Sequence, residues 1–259
     1  MRVRAASDAE SIHDLRVASR RIVAWLDAWS AALDPAATRR ARRGLQRLRR
    51  RLSQTREREV LVEHLDELFA GEPLAVREAG LNELQRLERR VAAGRARAAR
   101  RVKSRRTERL RARLEDCVAS FRGEPGALIA AAREHADARR IAAIETLTGA
   151  AEDDAALHRA RIAVKRWRYA IEALGDEAGE ARAATLKALR GLQHCLGAIH
   201  DAAVLRDHLS RRALRAQAKG RGDGANALAS LREKAGQARW RALERLPAAV
   251  TDAGATRSI

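Results

Sequence analysis

Apolar residues return every three or four positions along most of this chain, the spacing that gathers them on one face of an α-helix. Leu45, Leu48 and Leu52 form one such stripe, and Leu186, Leu189, Leu192 and Leu196 form another. Clusters of Gly, Pro and Asp interrupt the pattern at Leu33-Asp34-Pro35, Gly71-Glu72-Pro73, Gly123 to Gly126, Thr148 to Asp154, Gly175 to Gly179 and Gly220 to Gly224. A helix stops or starts at such places. The segments between them predict eight or nine helices. Residues 74–122 contain no proline and read as one long helix or two.

Composition removes the alternatives. Ala, Leu, Arg and Glu dominate while Val, Ile, Thr and aromatics are scarce, which nearly excludes strands. At 46% hydrophobic the chain has material for a core, and no run approaches the roughly 18 apolar residues of a membrane span. The first ten residues show no secretory signal. Cys117 and Cys195 fit neither a disulfide framework nor a zinc spacing, so both are expected reduced, on buried helix faces. The fold class read from the residues is all-α, in a cytoplasmic protein.

The pattern also repeats. Ile12 to Leu26 (IHDLRVASRRIVAWL) aligns with Leu157 to Ile171 (LHRARIAVKRWRYAI) at a shift of 145. His13 meets His158, Arg16 meets Arg161, Arg20 meets Lys165 and Arg21 meets Arg166. Downstream, Leu52 to Leu65 aligns with Leu196 to Leu209 at a shift of 144, so that Val60-Leu61 meets Val204-Leu205 and Arg56-Glu57 meets His200-Asp201. Two matches in the same order indicate a duplicated helical unit.

Charge then becomes informative through its placement. The net charge is +19, with +12 before residue 150 and +7 after it. On a helical wheel, Leu15, Ala18, Ile22, Trp25, Leu26 and Trp29 share one side, and His13, Arg16 and Arg20 share the other, with Arg21 at its edge. The second copy repeats this, with Ala160, Ala163, Trp167, Ile171 and Leu174 opposite His158, Arg161 and Lys165. A solvated helix face normally balances cations with Glu at four-residue spacing. These two faces lack it, which points to an external anion. A third row, Arg42, Arg49 and Arg56, lies at the shoulder of the Leu45/Leu48/Leu52 stripe and is expected to point into a groove between helices; its counterparts are Leu186, Gln193 and His200. Residues 86–113 carry 13 Arg/Lys against Glu88 and Glu108, and most of that run is expected to be solvated surface.

These residues resemble the CHAD domain, the conserved histidine α-helical domain. The likeness rests on the two histidine helices, the Leu-x₇-Val-Leu segments after each, and Ala-Val-Lys-x-x-Arg-Tyr at Ala163 to Tyr169, and it covers nearly the whole chain. It implies an all-α fold of two four-helix bundles related by a pseudo-twofold axis around a basic central groove. The whole would be a single domain over residues 1–250, with repeats at about 8–148 and 153–250 and a tail at 251–259. It further implies binding of inorganic polyphosphate, with polyphosphate granules as an expected location and with sulfate or phosphate as stand-ins in a crystal. By motif position the ligand-facing set is His13, Arg16, Arg20, Arg21, His158, Arg161, Lys165 and Arg166, with Arg56 and His200 after them. Ser53 stands where the family usually has Gly, and Glu57 where it usually has Asp.

The chemistry suits a polyphosphate chain, because closely spaced phosphates match the bidentate fork of arginine. Affinity is expected to rise from about pH 8 to 6 as His13, His158 and His200 gain charge. Three competing readings remain. A nucleic-acid contact, weak and nonspecific, is expected of so basic a chain, but Trp25, Trp29 and Trp167 lie on apolar faces, leaving only Tyr169 for base stacking. An enzyme is disfavoured. CHAD domains often accompany a triphosphate-hydrolysing domain with Glu-x-Glu-x-Lys on a strand, yet Glu57-Arg58-Glu59-Val60-Leu61 lacks the lysine and lies in a helix. There is no Gly-rich phosphate loop and no His-Glu-x-x-His. His194, His200 and His208 do not share a helix face, so neither metal nor cofactor is expected. A helical adaptor at granules is compatible with polyphosphate binding.

Overall fold

A computed structural model describes residues 9–102, 105–150, 153–175 and 179–254, the side chains of 9–13, 53, 54, 101, 102 and 179 lying outside that description. The described residues form nine α-helices: α1 (Ala9–Ala28), α2 (Pro35–Leu68), α3 (Leu74–Val102), α4 (Arg105–Ala119), α5 (Pro125–Thr148), α6 (Asp154–Ala173), α7 (Gly179–Gln217), α8 (Gly222–Glu244) and α9 (Leu246–Gly254), with a 3₁₀ turn at Ser30–Ala32. Residues 74–122 thus hold two helices. A shift of 145 carries α1 onto α6, and α2 and α7 are the long helices that follow each. The last helix, α9, crosses residue 250, where the tail was expected to begin.

The breakers act by identifiable chemistry. The Asp34 side chain accepts a hydrogen bond from the Ala37 backbone N–H at 2.6 Å, with Pro35 at the first helical position. Asp153 caps α6 in the same way through the Ala156 N–H at 2.7 Å. Gly71, between α2 and α3, has φ of +81°, a conformation closed to most side chains.

Three main packing regions result. The first joins α1, the start of α2 and α4 through Leu26, Ala41, Leu45 and Cys117, with Trp25, Trp29 and Phe121 against it. The second joins α5, α6, the first half of α7, the end of α8 and α9 through Trp167, Ile171, Leu189, Leu192, Leu196 and Ala242. A third core is drawn from both halves of the chain, where Leu61 and Leu65 of α2 and Leu87 of α3 meet Leu205 and Leu209 of α7 and Leu231 of α8. Each long helix therefore starts in its own region and ends in the shared one. Both cysteines are free and buried.

That shared core holds a buried polar knot. Glu83 of α3, 2% exposed, accepts from Arg212 of α7 at 2.7 Å and from Arg86, and lies 2.7 Å from His208 of α7. Burial alone would raise its pKa, but His208, Arg86 and Arg212 hold the carboxyl at about 2. Less than a turn away along α7, Asp154 in the first turn of α6 accepts from Arg206 of α7 at 2.9 Å and from Arg239 of α8 at 2.7 Å. These contacts tie α7 to α3 and to α6, which carries one of the basic faces.

Candidate anion-binding groove

Packing α1 against α6 brings the two basic faces together. In the first half, half-buried Arg16 lies among Arg20, Arg56, Glu57 and Arg49; burial, then repulsion from Arg20 and Arg56, lowers its pKa to about 10. In the second half, Arg161 stands 3.8 Å from Asp201. Burial depresses its pKa, Asp201 opposes this, and Arg20 adds to it. Arg16, Arg56 and Glu57 correspond to Arg161, His200 and Asp201 in the duplication. Each half builds the same cluster, a first-helix arginine set against a basic–acidic dipeptide of the following helix.

Arg20 is where the two clusters meet. It lies near enough to Arg161 and Lys165 of the other half to disfavour their charge. Burial, then Arg161 and Arg20, pushes the Lys165 ammonium down to about 7. Arg49 of α2 reaches the same region, its pKa lowered by burial, then Arg20, with Arg166 of α6 also contributing. Arg16, Arg20 and Arg49 line a pocket of about 230 Å³ with Gln46 and Arg50. Arg16 Nη1, beside this pocket, and Arg161 Nε, in the second cluster, are buried without a hydrogen-bond partner. A buried donor left unmet costs roughly 1–3 kcal/mol, and repulsion among the guanidinium groups adds to that cost. A phosphate oxygen would relieve both.

Beside the cations, His158 and His200 bring their Nδ1 atoms to 3.3 Å, with ring centroids 4.5 Å apart. Burial, then Arg161 and His158, holds His200 at about 4, and burial with Arg161 and Lys165 lowers His158. Without a ligand, then, His200 is neutral across pH 6–8, while Lys165, held at about 7, titrates there. A lysine thus joins the titratable groups of the groove, where the sequence pointed to histidine alone. Asp201 also faces His64 of α2 at 3.8 Å and draws its pKa up.

The remaining expected residues divide. His13 lies on α1, its side chain outside the described residues. Arg21 is exposed and reaches Glu172 of α6 at 3.2 Å. Arg42 pairs with Asp27, and Arg56 pairs with Glu63 at 2.8 Å and Glu59 at 3.8 Å. These three already engage carboxylates. Arg166 is exposed beside Arg49 and Arg139. Sequence reasoning missed Gln46, Arg50 and Arg139 of α5, which lies close to Arg42 and Arg166. Arg139 belongs to a segment with no counterpart in the second half, so the repeat could not flag it. Asp201 stood beside His200 in the aligned motif and was legible there.

Except for Trp240, which is 53% exposed on α8, the tryptophans and Tyr169 are committed to packing. Trp25, Trp29 and Phe121 stack mutually with centroids 6.0–6.3 Å apart, and Trp167 and Tyr169 are 3% and 7% exposed. His194, His200 and His208 have separate surroundings: the α7–α9 pocket, the groove and Glu83. No described helix is long and apolar enough to cross a membrane.

Solved structures share this arrangement. The chain resembles PptA from Streptomyces chartreusis with a TM-score of 0.72 at 19% identity, over 94% of this chain and 90% of that one. It resembles the CHAD domain from the plant Ricinus communis with a TM-score of 0.68 at 24% identity, over 97% and 84%. At these identities the likeness is one of fold. Comparison with curated proteins gives no match. The sequence profile of the CHAD domain matches residues 1–210, most of the chain's length, and the chain belongs to that family.

Proposed function

We propose that the chain binds inorganic polyphosphate, without turning it over, in the groove where α1, α2, α6 and α7 meet. The observation that carries this is the convergence of Arg16, Arg20, Arg49, Arg161 and Lys165 from both halves on one region. There, Lys165 is held at about 7 and two buried arginine nitrogens lack partners. A fold gains nothing from buried, mutually repelling cations. A linear polyanion turns that repulsion into binding, because each phosphate offers oxygens to a guanidinium fork. The duplicated cluster presents equivalent cations along the ligand's path, which suits a polymer better than a single phosphate. Binding of this kind would hold the protein at polyphosphate granules.

Asp201 and Glu57, the acids nearest the cations, hold Arg161 and Arg16 in place in this reading and perform no chemistry on the ligand. A nucleic-acid role has less support, since Trp25, Trp29 and Trp167 are committed to core packing and Tyr169, close to Arg49, is only 7% exposed, which leaves no stacking platform in the groove. Titration with long-chain polyphosphate and with single-stranded DNA, at one salt concentration, tests the proposal. Tighter binding of polyphosphate supports it, and equal binding overturns it.

A further inference from the structure

A second cationic concavity lies away from this groove, between α2 and α4. Arg47 and Arg51 of α2 face Arg106, Arg109 and Arg113 of α4 across a cleft of about 330 Å³, within the size range of small-ligand sites. On α2, Arg47 and Arg51 point about 180° away from Arg42, Arg49 and Arg56. No carboxylate among the described residues forms an ion pair with any of the five arginines. The floor is nearly closed, because Leu52 and Leu110 are 0% and 8% exposed. Gly44 lets the helices approach: a Cβ there would meet Leu110 Cδ1 at 2.6 Å. The lining available to a ligand is thus mixed, with the five guanidinium groups around an apolar floor that includes half-buried Leu48.

The duplication provides an internal comparison. At a shift of 144, Gly44, Arg47, Leu48 and Arg51 correspond to Ala188, Gly191, Leu192 and Cys195, and these line the equivalent cleft between α7 and α9. The fold makes this concavity twice, and the second copy, which Lys187 and Arg245 also line, has no arginine at the positions of Arg47 and Arg51. Packing therefore does not require Arg47 and Arg51. Five unbalanced arginines around one hollow repel each other unless an anion lies between them.

We propose that the α2–α4 cleft is a second oligophosphate-binding site, independent of the groove. Its ligand class is a run of closely spaced phosphoryl groups, which five guanidinium forks grip from two sides without needing an apolar body to seat. It rests on the polyphosphate reading only for the source of that ligand. With sites on opposite faces of α2, one polymer can engage two protein molecules, a route to condensation.

Isothermal titration of the whole chain with inorganic tripolyphosphate tests this, using R47A/R109A/R113A, the groove variant R16A/R20A/K165A, and long-chain polyphosphate in a parallel arm. The wild type is expected to bind two equivalents, and each variant to lose a different one. A cleft variant that titrates like the wild type overturns the proposal. A groove variant that titrates like the wild type, while the cleft variant loses an equivalent, defeats the groove reading alone. Single-stranded DNA of matched charge displacing tripolyphosphate from the cleft with equal potency overturns the assignment to phosphate chains. Should the alanine variant lose its helical signal, R47K/R109K/R113K keeps the charges and removes the forks; at least tenfold weaker binding at the cleft is expected, and unchanged binding counts against the site.

Discussion

The Nδ1 atoms of His158 on α6 and His200 on α7 stand 3.3 Å apart. At that separation one ring nitrogen donates to the other, so the pair holds a single proton between them comfortably and resists a second charge beside Arg161 and Lys165. Replacing His158 with Ala is expected to raise the pKa of His200 from about 4 toward the ordinary imidazole value, because it removes both a neighbouring ring and part of the burial. Imidazole NMR signals followed from pH 3 to 8 measure this. An unmoved His200 curve would show the two rings to be independent.

Lys165 is expected to dominate the pH dependence of binding. A bound polyanion favours the ammonium form, so binding takes up a proton wherever pH lies between the free value of about 7 and the higher bound value. Affinity for polyphosphate should rise as pH falls from about 9 to 7 and level off below. K165R, charged throughout, should flatten the curve without weakening binding at pH 6. A wild-type affinity constant from pH 9 to 7 contradicts the assignment.

Glu83 predicts an acid-sensitive core. Its carboxyl is held at about 2 in the folded chain against about 4.5 unfolded, so its contribution is present above pH 4.5 and is lost as pH falls toward 2. E83Q leaves Arg86, His208 and Arg212 around a neutral group and should cost on the order of 3 kcal/mol at pH 7. Urea denaturation at pH 7 and pH 3 checks both points: the gap between variant and wild type should shrink at the lower pH.

How much of this was legible in the chain can be argued residue by residue. The duplicated motif located Arg16, Arg20, Arg161 and Lys165, because helical periodicity and repetition are properties of sequence. It said nothing of Arg109 and Arg113, which read as part of a largely solvated run and line the α2–α4 cleft in the structure. The hollow they line exists only once α4 is laid on α2, with Leu110 seated against Gly44. The titrating role of Lys165 was invisible for a similar reason. A lysine's pKa is set by burial and by neighbours such as Arg20, 145 positions away, and neither is written in its local spacing. Arg21, Arg42 and Arg56 matched the pattern, and only the folded structure reveals Glu172, Asp27 and Glu63 beside them.

Placement against total charge gives the last prediction. Replacing Arg16, Arg20, Arg161 and Lys165 with Ala removes four cations from the groove, and replacing Arg89, Arg133, Arg190 and Arg211 removes four exposed ones outside the groove and the α2–α4 cleft. The formal net charge falls equally from +19 in both variants. A ligand responding only to the overall field loses the same affinity in each. A ligand seated in the groove loses its charge-assisted contacts in the first alone, each worth roughly 1.5–3 kcal/mol, so a loss of a hundredfold or more for long-chain polyphosphate is expected there against a few-fold loss in the second. Helicity should hold in both, because Ala is the strongest helix former. The groove variant should even gain thermal stability without ligand, since it sheds buried like charges such as Lys165 and the unpartnered Arg16. A groove variant that loses affinity and also melts lower would mean these cations hold the fold together; equal losses of affinity in the two variants would mean the arrangement of charge on α1 and α6 is immaterial.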